Sequence, residues 1–382
     1  MPDPAISAHV HAEETPEGLL LRDALGDVRP RLISREPLGA GTVAGFAIGE
    51  DHADQTYFVD TSRLGVVAET GLAMGHDQER PEARIWLHPA DPHLPALAAT
   101  AFPHSVGILL RRLGIGAEGT AQMVGYRPGR RAVLRVPAEA GDIWIKVVRP
   151  SRIDRIIRAH RACAEAGLPV PALRGWSPEG LLVLDPAVGT PASDVAWRPA
   201  ELLTVTEQLR ERIAAVPWEA PARSIASRLD WYAARIGGWQ AAVRVAERTA
   251  TRLRRLAPQP LVTVHGDLHY GQLFLTDGAI TGFIDVDTLG AGVRAEDSAA
   301  FLSHAVASAR LTPASAAGRV WELADGALHR WGDDPAVRPY TALHLIGHAL
   351  AVRDLRDESG ARQLIDAAQR IVEGGPAAPA EV

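Results

Sequence analysis

The sequence predicts an α+β protein of two lobes, a small β-rich one before residue 185 and a larger, mainly helical one after it. Three observations predict it. Residues 122–136 alternate apolar and polar side chains around Pro128-Gly129, and Asp142–Val148 repeats the pattern, which gives a hairpin and a third strand. From about 200 to 373, apolar residues recur at helical spacing. A single β island, Leu261–Val286, interrupts those helices.

Taken in order, residues 1–15 read as a loose tail in which His9 and His11 have no other close ligand for a metal. Leu38–Ile48, Thr56–Asp60 and Ala83–Leu87 read as strands, the first two around the polar turn Gly49-Glu50-Asp51-His52. The rest of 69–100 has no legible signature. Ser105–Leu113 is a short amphipathic helix. Pro150-Ser151 starts a helix that runs to about Ala166, where Gly167 and Pro169 stop it. Leu181–Leu184 is a strand, and the breaker-rich 185–191 connects the lobes. The expected organisation is an extension or cap over 1–103, the β-rich lobe over 104–184, the helical lobe over 185–374 and a disordered tail over 375–382.

Bulk properties narrow the function. A length of 382 residues fits two or three packed units. A net charge of −6 argues against nucleic-acid binding, which needs a concentrated basic face. No apolar run approaches the roughly 18 residues that span a bilayer, and the N-terminus lacks a secretory pattern. Cys163 is the sole cysteine, so no internal disulfide can form, and a reducing cytoplasm is the expected location. Of the 40 basic residues, one is a lysine, Lys146, on the third strand of the β-rich lobe. Lysine is a compact charge on a flexible stem that arginine does not replace. A lone lysine among arginines is therefore a functional candidate, with chance at a strand as the plain alternative.

The island carries the chemistry. It contains His265-Gly266-Asp267, His269, Gln272, the turn Asp277-Gly278 and Ile284-Asp285. Asp-Gly between alternating apolar residues specifies a two-residue hairpin. With Thr276 opposite Ala279, Gln272 falls opposite Phe283, and Asp285 becomes its diagonal neighbour on one face, at roughly 7–8 Å. Two such oxygens can share one magnesium ion. Asp267 enters the hairpin five residues before Gln272. Phosphoryl transfer needs a carboxylate for the attacking hydroxyl, oxygen ligands for magnesium, and an upstream lysine on the phosphates. Asp267, the pair Gln272 and Asp285, and Lys146 fill these places.

His265-Gly266-Asp267 with Gln272, then Ile284-Asp285, resembles the HGD…N and ID signatures of the aminoglycoside phosphotransferase family, which match the catalytic and metal-binding motifs of protein kinases. The likeness spans roughly 120–305 and includes Gly167–Pro171, Leu181–Leu184 and Asp297. Gln272 replaces the usual Asn, and HGDxHxGQ is similar to the maltokinase and glucosamine-kinase branch. The resemblance implies a two-lobed protein-kinase-like fold with an N-terminal extension. It implies ATP and Mg²⁺ as cofactors, with ATP–Mg²⁺ held between the lobes. It also implies Asp267 as base, Gln272 and Asp285 as metal ligands, and Asp297 as a structural aspartate. The acceptor it implies is a hydroxyl of an aminoglycoside, amino sugar, sugar or similar metabolite. The family's helix glutamate for the strand lysine is missing, since Ile156 and Arg158 stand at its level.

Other readings stand beside these. Asp267 can be a turn aspartate, Gln272 a solvated strand residue, and His269 either loop structure or a substrate contact. His265 reads as a packed loop histidine. Arg130 and Arg131 follow the turn expected over the phosphates, so Arg130 is an ATP-binding candidate. Leu38–Phe46 is glycine-rich but has no following lysine, and reads as a bend between strands. Asp230, Glu322, Asp325, Asp333, Asp334 and Asp354 either line a cationic pocket or sit on solvated helical faces. At the level of function, a catalytically inactive nucleotide-binding regulator is one alternative. A hydrolase with His265, Asp267 and His269 as metal ligands is another.

Overall fold

In a computed structural model the described residues are 15–26, 28–49, 55–75, 77, 80–139, 141–222, 224–354 and 357–379. His9 and His11, residues 50–52 of the expected polar turn and the last three residues lie outside them. The chain divides into two compact units, residues 1–155 with 172–186, and residues 156–171 with 187–382. No helix of the described residues is long and apolar enough to cross a membrane.

The first unit opens with helix α1 (Pro16–Leu25), whose N-terminal N–H groups are capped by the Thr15 hydroxyl. Strands β1 (Arg31–Leu38), β2 (Gly41–Ile48), β3 (Gln55–Asp60), β4 (Leu72–Met74) and β5 (Ala83–Leu87) form an antiparallel sheet in the order β1-β2-β3-β5-β4. The glycine-rich segment thus is a hairpin bend plus one strand, and Arg31–Leu38 is a strand that the sequence reading missed. Helices α2 (Leu97–Ala101) and α3 (Pro103–Arg112) lead to a second antiparallel sheet. It comprises β6 (Gln122–Arg127), β7 (Arg131–Val136) and β8 (Ile143–Val148). After α4 (Ile153–Glu165) come β9 (Leu173–Ser177) and β10 (Leu181–Leu184), and the sheet order is β6-β7-β8-β10-β9. Leu94, Leu97, Val106 and Leu110 pack on Leu134, Ile145 and Val183 of this sheet.

The second unit is helical around the β island. Strand β11 (Thr190–Pro191), helices α5 (Pro199–Ala214), α6 (Leu229–Ile236) and α7 (Gln240–Arg254) precede β12 (Leu261–Val264). Strands β13 (Leu273–Thr276) and β14 (Ala279–Phe283) form the hairpin, and β15 (Gly290–Val293) returns to pair with β12. Helices α8 (Ala295–Leu311), α9 (Ala314–Trp331), α10 (Val337–Asp354) and α11 (Glu358–Glu373) complete it. One core joins Phe283, Phe301, Leu302, Leu323, Leu343 and Ile371, with Cys163 and Leu168 from the segment 156–171. The chain end is fastened as far as it is described, since Asp325 Oδ1 accepts from the N–H groups of Ala377 (2.9 Å) and Ala378 (3.0 Å). Asp334 accepts from Ala336 N–H and Gln259, and Asp354 pairs with Arg235. Three of the six acidic residues considered for a cationic pocket therefore have structural partners.

Candidate active site

Asp267 sits on a loop that leaves β12, and the start of α8 holds that loop by its backbone. Asp297 is buried and uses both carboxylate oxygens, Oδ2 on His265 N–H (2.9 Å) and Oδ1 on Gly266 N–H (2.7 Å). From the other side, Thr288 donates to the His265 carbonyl (2.7 Å). Gly266 has φ +81°, and a Cβ there would stand 3.0 Å from the Thr288 carbonyl oxygen, so glycine is required twice over. His265 is fully buried beside Phe283, with Nε2 3.3 Å from the Ile284 carbonyl. This is the packed loop histidine expected from the sequence.

The hairpin turn follows the expectation in its backbone, because Asp277 and Gly278 have φ of +50° and +80°. The register does not. Thr276 opposes Ala279, but Phe274 opposes Gly282 and Leu273 opposes Phe283, so β14 carries one extra residue at Thr281. The bulge is fixed by the Thr281 hydroxyl, which donates to the Val188 carbonyl (2.9 Å). Gln272 is therefore level with Ile284, whose N–H reaches the Gln272 carbonyl (3.1 Å), and not with Phe283. Asp285 follows Ile284 in a left-handed conformation (φ +70°), off the strand alternation. Their backbones occupy consecutive levels of one hairpin end rather than same-face diagonal positions.

Gln272 is buried, and its Oε1 accepts from His269 N–H at 3.2 Å while His269 caps the Gln272 end of the short turn in return. An amide oxygen has a second lone pair for another partner. The His265-x-Asp267-x-His269 metal reading is not supported. Among the described residues no group of three or more His, Cys, Asp or Glu can hold a metal. His265 turns inward and His269 stacks on His304, with ring centroids 4.3 Å apart.

Electrostatics single out Asp267. Its side chain is half-exposed, with Oδ1 3.4 Å from His304 Nε2. Burial pushes its carboxyl up, but the His304 hydrogen bond and the charges of His304, His265 and His344 outweigh this and hold it below the ordinary carboxylate range. Three imidazoles nearby are shifted down, chiefly by burial and then by His304, His269 to about 4 and His344 and His348 to about 3. The sequence reading missed His304, His344 and His348. The last two are one helical turn apart on α10, but nothing in their spacing says that they face Asp267.

The other two expected residues belong to the first unit. Lys146 is buried on β8, between Val133 of β7 and Leu182 of β10. Arg130 ends the β6–β7 turn, where Gly129 has φ +64° and Arg130 N–H bonds the Arg127 carbonyl (2.9 Å). Its guanidinium donates to the Pro37 carbonyl and lies 3.9 Å from Glu36. The turn is held further by buried Asp91. Its Oδ2 accepts from Gly129 N–H (2.7 Å) and the Tyr126 hydroxyl (2.9 Å), and its Oδ1 from His93 N–H (2.9 Å). Asp91 lies in the stretch without a legible signature.

The sequence profile of the APH phosphotransferase enzyme family matches residues 109–340. This chain belongs to that family. As an APH-family phosphotransferase it is a small-molecule kinase, an enzyme that phosphorylates a hydroxyl group. No curated protein matches it closely enough to be informative. Three solved structures share the fold of this family member. Amicoumacin kinase in complex with AMP-PNP, Ca²⁺ and Ami is 15% identical, with a TM-score of 0.52 over 71% of this chain and 94% of that one. A thermostable mutant of aminoglycoside phosphotransferase APH(4)-Ia is 14% identical, with a TM-score of 0.51 over 69% and 97%. APH(2")-IIIa with GDP and kanamycin is 10% identical, with a TM-score of 0.51 over 71% and 98%. The two-lobed α+β, kinase-like architecture expected from the sequence is the one these structures have.

Proposed function

We propose that this enzyme is an ATP- and Mg²⁺-dependent phosphotransferase that moves the γ-phosphate of ATP to a hydroxyl of an aminoglycoside, amino sugar, sugar or similar metabolite. One observation carries the reading. A half-exposed carboxylate, Asp267, is kept ionised on a loop whose backbone Asp297 holds, close in sequence to Gln272, which is level with the residue before Asp285. The solution of a structural neighbour with AMP-PNP and Ca²⁺ supports a nucleotide triphosphate and a divalent cation.

Asp267 is the base. It accepts the proton of the acceptor hydroxyl as the new O–P bond forms and ADP departs. Gln272 and Asp285 are the metal ligands. An amide oxygen and a carboxylate are hard oxygen donors, which suit magnesium, and the bound ion would offset charge on the phosphates. Lys146 and Arg130 bind the phosphates of ATP, Lys146 as a compact charge fixed on a central strand.

The test is ADP release from MgATP across kanamycin, hygromycin B, glucosamine, maltose and related hydroxyl compounds. Wild type and Asp267→Asn run in parallel. The expected result is stimulation by one acceptor, reduced about 10²–10⁴-fold in the variant with ATP affinity retained. Equal ADP release in both proteins, or loss of ATP binding in the variant, would overturn the assignment.

A further inference from the structure

Helix α8 grips the Asp267 loop twice. Asp297 in its first turn binds the backbone N–H groups of His265 and Gly266. His304, two turns later on the same side, meets the Asp267 side chain at 3.4 Å. The first contact fixes where the loop runs. The second bears on the reacting group itself.

The His304 ring is held on two sides. His269 stacks on its face, with centroids 4.3 Å apart and planes 22° from parallel. His348 meets it edge-on, at 4.6 Å and 77°. His344 lies one turn from His348 on α10 and also acts on His304. A ring fixed in this way has little freedom to leave Asp267, so the contact is pre-organised.

Resting on the phosphotransferase reading above, we propose that His304 is a positioning residue for the transfer. Its Nε2–H donates to Asp267 Oδ1 and leaves Oδ2 to accept the proton of the acceptor hydroxyl. As the acceptor O–P bond forms, the bond from the γ-phosphorus to the β–γ bridging oxygen breaks, and its electron pair leaves with ADP. The hydroxyl proton passes to Asp267 and is released to water with the product. His304 thus acts through Asp267 and never touches phosphorus.

The groups around His304 favour this role. From the loop it faces Asp267 and His269, with His265 and Asp285 behind them, and from α10 it faces His344 and His348, with Arg228 acting on His344. Burial disfavours the charged forms of His344 and His348 beside it.

The test combines kinetics with NMR on the full chain. Imidazole nitrogen shifts are followed with pH, and the His304 signals are assigned among the 14 histidines by their loss in His304→Gln. In Asp267→Asn the His304 ring-nitrogen shifts should move at neutral pH, because an amide replaces the carboxylate that Nε2 meets. Unchanged His304 shifts overturn the pairing without reference to any acceptor. ADP release from MgATP, with water or the best panel compound as acceptor, should drop about 10- to 100-fold in kcat for His304→Ala, with KM for ATP within about twofold. His304→Gln restores an N–H donor and should recover most of that loss. A wild-type kcat in His304→Ala, or no recovery in His304→Gln, would overturn the proposal. If Asp267→Asn itself leaves ADP release unchanged, the phosphotransferase reading fails, and the NMR result still decides whether the pair exists.

Discussion

Replacing Asp297 by alanine should loosen the Asp267 loop and destabilise the unit that carries it. Asp297 accepts two backbone N–H groups at 2.9 and 2.7 Å through its carboxylate. Hydrogen bonds to a charged group contribute about 1.5–3 kcal/mol each. Full additivity would give about 3–6 kcal/mol, but Gly266 is only partly buried, so water can satisfy its N–H after the change. The fully buried His265 N–H has no such recourse. The expected loss is therefore about 3–4 kcal/mol. At about 2–4 °C per kcal/mol for a unit of this size, the melting temperature should fall by about 6–16 °C. Asp297→Asn keeps one acceptor oxygen and should lose about half as much. The assay is a thermal melt followed by circular dichroism, with ADP release measured on the same samples at 15 °C. A fall of less than about 3 °C in Asp297→Ala with wild-type ADP release would refute the claim that this carboxylate holds the loop.

Further outcomes follow from single features. Gly266→Ala places a Cβ against the Thr288 carbonyl at a φ that L-residues avoid, and should cost about 1–2 kcal/mol or more in a urea titration, with ADP release reduced; an unchanged midpoint and activity would show that the loop relaxes freely. Stability should fall in acid because His344 and His348 titrate near 3 when folded against about 6.5 when unfolded. The unfolded chain takes up their protons first, so stability is complete above about pH 6.5 and lost as pH falls toward 3, by about 2 kcal/mol per histidine at pH 5. Urea midpoints at pH 7.5 and 5 measure this, and the double variant His344→Gln, His348→Gln should show a much smaller difference. Asp91→Asn leaves one of three donors facing an amide N–H and should cost about 1–3 kcal/mol. It should also raise KM for ATP several-fold if the β6–β7 turn binds phosphate; an unaltered melt and KM would remove Asp91 from that role.

Much of the site was written locally in the chain. Asp277-Gly278 specified its turn because both backbone conformations are those that Asp and Gly accept. The lone Lys146 could be placed on a third strand because the hairpin before it alternates cleanly. Asp297 could be picked out through its resemblance to the family's structural aspartate, and His265 as a packed residue within an apolar approach.

What remained hidden depends on partners distant in sequence. The bulge at Thr281 moves Gln272 one level along the hairpin, and it exists because the Thr281 hydroxyl finds the carbonyl of Val188, a residue 93 positions earlier. Asp91 lies in a segment with no periodic signal, and its work is done on Tyr126 and Gly129, which only tertiary folding brings to it. His304, His344 and His348 lie on two helices whose apolar stripes give no sign of their meeting around one carboxylate. The sequence by itself determined the family and the two-lobed class and supplied the candidate site residues, because local backbone preferences and short motifs encode these. Only the tertiary structure decided the register of the hairpin, the fastening of the β6–β7 turn and the imidazole surroundings of Asp267. Each of these depends on side chains that meet across long stretches of chain, and spacing along a sequence carries no measure of that distance.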